Sequence, residues 1–368
     1  MLIVVGIILF LSLHTSSQKN TNKTSNKNVL NIYNWSDYVD ESTVKEFEQK
    51  NHIKVNYDVY DSNETLQAKV LIGNSGYDLV APSNIFVARQ IVAQAYQPID
   101  KSKISNYKNL SPLLLKLMQT ADPGNQYAVP YFWGINTLAI NKDQVQKALN
   151  GAPLPENEWD LLFKPEYAQK LQSCGISILD SPAEVYPVVL HYLHKEPKTN
   201  NLDDIKAAVE VLKGIRPYIK RFSSSGYIDD LARGDLCLVF GYGGDLNIAK
   251  RRAKEAKNGV DIAVLVPKGG VAIWVDSFMI PAGARNVDNA LKYIDYTLEP
   301  SVAAKNGNFV TYAPASTPAK DLMEPEYASD PSIFLSDQML EASFLNVPLD
   351  LKLNRLAIKY WNAMKKEN

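Results

Sequence analysis

Val29-Leu30-Asn31-Ile32-Tyr33-Asn34-Trp35 leads into Glu41–Asn51, and then into Ile53-Lys54-Val55-Asn56-Tyr57-Asp58-Val59-Tyr60. In the last run Ile53, Val55, Tyr57 and Val59 alternate with polar residues, the period of two that puts successive side chains on opposite faces of a strand. Between the two extended runs Val44 and Phe47 stand at helical spacing. The pattern continues outward. Asn63–Ile72 reads as a helix stopped by Gly73, Tyr77–Pro82 as a short strand, and Ile85–Ala95 as a helix. Alternation of this kind predicts an α/β protein with a mostly parallel sheet covered on both faces.

At residue 128 the pattern changes. Ala128–Asn141 is a long extended-looking run, long enough to pass from one lobe to another. Strands near Gly175–Leu179 and Leu236–Gly241, with helices near Pro182–Leu193 and Leu202–Leu212, make a second unit. Val260–Val266 is a second crossing candidate, Ile273–Ile280 a further strand and Asp288–Leu298 a helix; the C-terminal third reads as helical without clear strands. A chain of 368 residues is too long for one ordinary core. The expected division is residues 29–135 plus 258–315 for lobe 1 and 136–257 plus 316–368 for lobe 2. Two such lobes enclose a hinged cleft, a preferred place for a small ligand.

Net charge is −1, so there is no basic field, and nucleic acid is not an expected partner. Acids for a cationic ligand would have to be gathered locally. Leu2–Leu13 is mostly apolar, too short to span a bilayer comfortably but suited to the apolar region of a signal peptide, and polar residues follow to Asn28. Residues 1–28 are therefore expected to be a signal peptide and linker, with export to the periplasm; no Lys or Arg precedes the apolar run, which leaves an uncleaved anchor as the alternative reading. Two cysteines, Cys174 and Cys237, read in an exported protein as one disulfide or as two buried thiols. A bridge would stabilise by about 4 kcal/mol in the chain-entropy account.

Acids and aromatics occur together at strand ends: Trp35-Ser36-Asp37-Tyr38, Tyr242-Gly243-Gly244-Asp245 and Trp274-Val275-Asp276. Carboxylates bind ammonium groups by charge-assisted hydrogen bonds, and aromatic faces attract cations and cover methylenes. A diamine needs acids at two ends and aromatic walls between. The same pattern is also compatible with core tryptophans beside capping aspartates.

The segment Asn31–Tyr38 resembles the N-terminus of periplasmic putrescine-binding proteins of ABC importers. So do Tyr57–Glu64, Tyr77–Ser83, Ser173-Cys174-Gly175, Gly234–Cys237 and Arg252–Val260, jointly covering roughly Val29 to Trp361. The resemblance implies a two-lobed type II periplasmic-binding fold, a polyamine ligand, a membrane permease complex as partner, no cofactor or metal, and no catalysis. It implies a ligand box of Trp35, Ser36, Asp37, Tyr38, Ser83, Glu184, Ser224, Tyr242, Asp245, Trp274, Asp276 and Tyr312. Asp245 and Asp276 would hold one ammonium and Asp37 would help at the other end. It also pairs Cys174 with Cys237. Two positions depart: Tyr242 stands where these relatives carry Trp, and Trp274 where putrescine binders carry Phe and spermidine-preferring ones Trp. Putrescine is favoured, with spermidine next; a monomer is the simple expectation.

Rival readings are a glycoside hydrolase using paired carboxylates, a binding protein for amino acids, metals or sugars, and a polyamine sensor without transport. No G-x-S-x-G motif is present, and the implied box contains no Arg for an anionic group. His191 and His194, three apart on a helix, read as a packing or surface pair. Gly241-Tyr242-Gly243-Gly244 lacks the lysine and spacing of a phosphate loop. Arg251 and Arg252 read as a solvated helix face.

Overall fold

The computed structural model describes residues 28–366; the expected signal segment, up to residue 27, lies outside them. Among the described residues the strands are β1 (Val29–Trp35), β2 (Lys54–Tyr60), β3 (Leu79–Val80), β4 (Val129–Asn141), β5 (Ile176–Ile178), β6 (Arg221–Phe222), β7 (Leu238–Tyr242), β8 (Ile262–Val264), β9 (Ala272–Phe278), β10 (Ala313–Pro314) and β11 (Phe344–Leu345).

The first sheet has the order β2-β1-β3 and is parallel throughout, with Trp35 opposite Tyr60 and Ile32 opposite Leu79. The helix Glu41–Asn51 makes the β1–β2 crossover. Asp40 caps it by accepting from Ser42 N (2.8 Å), and its buried Phe47 packs against Tyr293 and Tyr296. The second sheet has the order β11-β9-β4-β7-β5-β6, with β8 and β10 also on β4.

Two hydrophobic cores divide the molecule. Val129 and Phe132 of β4 belong to the first and Ile135, Leu138 and Ile140 to the second, with Trp133 packed against both. The antiparallel neighbour β9 changes sides at the same level: Ala272 and Ile273 lie in the second core, Trp274, Val275 and Phe278 in the first. These paired strands connect the lobes. Val260–Val266, the crossing candidate, does not cross, because β8 pairs with Ala139–Asn141 at the second-lobe end of β4. Residues 258–272, allotted above to lobe 1, bury Ile262 and Ala272 in the second core. Conversely Ala319 and Met323 pack on Ala303 and Ala304 of the helix Pro300–Val310, whose Val302 and Val310 belong to the first core. The C-terminal third is not free of strands. β10 and β11 have two residues each, too few to show a period, and lie on β4 and β9.

Cys174 and Cys237 are disulfide-bonded, with Cα atoms 5.4 Å apart. The bridge joins the turn before β5 to the residue preceding β7, within the second lobe.

Candidate functional site

A cleft of about 830 Å³, its mouth included, lies where the two cores meet, and all twelve residues of the expected box line it. Trp35 ends β1, and Ser36, Asp37 and Tyr38 form the turn after it; Asp37 takes a left-handed φ of 54°, which lets the chain bend away from the strand. Ser83 follows β3 at the start of the helix Asn84–Val92. Trp274 and Asp276 are two apart within β9 and so share a face. From the second lobe come Glu184 on the helix Pro182–Tyr192, Ser224 after β6, and Tyr242 and Asp245, where β7 passes into the helix Gly243–Ala256. Tyr312 precedes β10.

Three acids form the polar core of the cleft, each held by neutral donors. Asp276 accepts from Ser83 Oγ (2.5 Å) and Tyr38 Oη (2.7 Å). Asp245 accepts from Tyr227 Oη (2.8 Å) and Tyr312 Oη (3.0 Å). Glu184 Oε2 accepts from the side-chain amides of Asn136 and Asn346, both at 2.6 Å. Burial pushes the Asp276 carboxyl up to about 7, against the pull of its two hydroxyl donors. Burial likewise takes Glu184 to about 7, its amide donors opposing and the charges of Glu64 and Asp276 adding to the rise. Asp245 rises to about 6 by burial, with the two tyrosines and Arg252 opposing and Asp37 reinforcing. No Lys or Arg forms an ion pair with any of the three among the described residues; Arg252, at the mouth, is engaged by Asp229 at 2.7 Å. Buried carboxylates ordinarily come with a cation.

Aromatic rings wall the space between these acids. Trp35 and Tyr60 lie 4.8 Å apart and both donate to the Ala81 carbonyl, at 2.9 and 2.6 Å. Opposite them Trp274 meets Tyr312 edge-on at 4.9 Å and Tyr242 at 6.3 Å. The Trp274 indole N–H is buried with no partner among the described residues.

Tyr60, Asp61, Ile228 and Arg252 also line the cleft, unanticipated in the sequence; Arg252 had read as solvated helix. The supports Tyr227, Asn136 and Asn346 were missed too. Asn136 had a signal, being an amide inside the apolar run of β4, where a buried polar group needs a partner. His191 Nε2 lies 2.8 Å from the Gly269 carbonyl, and no group of His, Cys, Asp or Glu able to hold a metal occurs among the described residues.

Residues 42–334 match the sequence model of the bacterial extracellular solute-binding protein family. The chain is 43% identical to the putrescine-binding periplasmic protein SpuD of Pseudomonas aeruginosa over 93% of each chain. It is 42% identical to the putrescine-binding periplasmic protein PotF of Escherichia coli, over 99% of this chain and 96% of that one. A solved structure of the spermidine/putrescine ABC transporter substrate-binding protein PotD from Streptococcus pneumoniae superposes with a TM-score of 0.77 at 26% identity, covering 92% of this chain and 98% of the other. Matched over most of its length by sequence, and built as two lobes around a cleft whose three buried acids form no ion pair among the described residues, the chain belongs to the bacterial extracellular solute-binding protein family.

Proposed function

We propose that this protein captures a linear polyamine, putrescine in preference to spermidine, in the interlobe cleft and delivers it to an ABC permease. It does so as an exported, periplasmic monomer and without chemistry on its ligand. The observation that carries the reading is the set of three buried acids whose hydrogen bonds all come from neutral donors, leaving negative charge for a cation to neutralise. The names of the relatives point to the same ligand class.

The electrostatic couplings favour a particular division of labour. Asp245 feels Asp37, and Glu184 feels Asp276. Each pair takes one ammonium, with the aromatic rings along the methylenes between. This division differs from the expectation that Asp245 and Asp276 share one end, and the pairwise affinities of the single-acid variants decide between the two. Closure of the lobes desolvates the ligand, and the loaded form docks on the permease.

Calorimetric titration of the purified protein with putrescine, spermidine, cadaverine and a panel of amino acids tests this. Tight, saturable binding of a polyamine and none of the amino acids is expected. Folded protein that binds no polyamine would overturn the reading.

A further inference from the structure

Gly134 sits in the middle of β4, directly opposite Trp274 in the ladder with β9. Its φ is not left-handed, so its backbone conformation is open to any residue. A glycine inside a strand weakens it and commonly marks a place where another group comes close. Here that group is the cleft wall. A Cβ at Gly134 would lie 2.5 Å from Cζ2 and 3.0 Å from Cη2 of Trp274, and 2.9 Å from Cδ1 of Tyr312. Trp274 and Tyr312 are 5% exposed and packed edge to face, and Tyr312 Oη is bonded to Asp245, so the open direction left to the rings is into the cleft they line.

We infer that Gly134 is a positioning residue of the cleft wall: its missing side chain is the notch that seats the outer ring of Trp274 and so fixes the inner wall against which the ligand lies. The inference rests on the polyamine reading for the identity of the ligand, but not for the packing. Gly244 plays the matching part across the cleft. It too lacks a left-handed φ, and a Cβ there would lie 2.4 Å from Cε1 and Cζ and 2.5 Å from Cε2 of Tyr312. The residue at 274 and the absence of a side chain at 134 therefore form one unit. A phenylalanine ring ends short of the Cζ2 and Cη2 positions, so beside it a methyl at 134 keeps only the 2.9 Å approach to Tyr312, which a shift of a few tenths of an ångström into the space left by the indole relieves.

Four proteins test this: wild type, Gly134→Ala, Trp274→Phe and the double variant, each titrated with putrescine and spermidine and each melted without ligand. Alone, Gly134→Ala overpacks the wall and is expected to weaken polyamine binding by about 10-fold or more. In the Trp274→Phe background the same change is expected to cost no more than about 3-fold, the difference being the coupling of the pair. Unliganded melting temperatures are expected to show the same non-additivity, a drop of several degrees in one background and a smaller one in the other. Equal losses in both backgrounds, or wild-type affinity and melting in Gly134→Ala, would overturn the inference. Should wild type bind no polyamine, the proposed function falls while the melting cycle still decides the notch: non-additive melting upholds it and additive melting rejects it.

Discussion

Asp276 and Asp245 sit in one cleft, and each accepts two hydroxyl hydrogen bonds, yet their supports differ in origin. Both donors to Asp276, Ser83 and Tyr38, belong to its own lobe. Asp245 is held by Tyr227 of its own lobe and by Tyr312, a member of the first lobe's core. The first corner thus lies within one lobe, whereas the second spans the two, where Thr311 also donates to the Gly244 carbonyl at 2.9 Å. On the proposed closure, the acid held within one lobe would act as the anchor and the acid held from both would report closure. That is the arrangement expected if ligand engages the anchor first and closure finishes the site.

Asp276→Asn should break the anchor and have the largest effect. Geometry survives and the charge is lost, so polyamine affinity at pH 8 should fall by about 10- to 100-fold, the range for a charged hydrogen bond left unmade. Calorimetry at fixed ionic strength checks it, and unchanged affinity would remove Asp276 from the ligand's contacts.

Acidification should act on both corners at once, weakening binding by at least about 10-fold between pH 8 and pH 5.5. Asp276 and Glu184, raised to about 7, and Asp245, raised to about 6, take up protons across this window and no longer attract an ammonium. The sign for stability is the reverse. A carboxyl whose folded pKa is raised binds more protons folded than unfolded, so the unliganded protein loses stability as pH rises from about 4 towards 7. Ligand removes that penalty, and its thermal shift should be larger at pH 8 than at pH 5.5. Equal shifts at the two pH values would mean that the acids are not neutralised by the ligand.

Tyr312→Phe against Tyr38→Phe separates the corners. Each deletes one hydroxyl from one acid, and each should weaken binding by about 5-fold. Only Tyr312→Phe removes a bond between lobes, so it alone should reduce the compaction seen by small-angle scattering on ligand addition. Equal compaction in both variants would show that closure does not depend on the Asp245 corner.

How far the sequence reveals these corners depends on how local each part is. β2 alternates apolar and polar residues along its length, and the period shows its faces directly. Trp274 and Asp276 share a face because they stand two apart within β9, and that too is readable. The lobe crossing is not. β8 and β9 are both short apolar runs, and only their pairing partners on β4 distinguish the one that crosses. The strand β11 and the neighbouring Asn346 carry no period at all. Their place is set by the β9 ladder and by Asn84, whose amide donates to the Asn346 carbonyl at 2.5 Å. Contacts between residues 262 apart in sequence leave no mark in either local pattern.

Asn346 gives the comparison its finest test, because the Glu184 corner combines both designs. Asn136, on the connecting strand, stays in place when Asn346→Ala removes the second amide from Glu184 Oε2. With one donor left, the loss of affinity at pH 8 should be small, about 3-fold. The amide of Asn346 also holds the Glu184 carboxyl down against burial, so its removal should raise that pKa further. The pH at which binding reaches half its maximal strength should therefore move upward in Asn346→Ala. The same amide is tied through its own backbone to Asn84 at the first-lobe helix start and to Ile273 on β9 (2.7 Å). An affinity loss with no upward shift would assign Asn346 to lobe packing instead of to the electrostatics of Glu184.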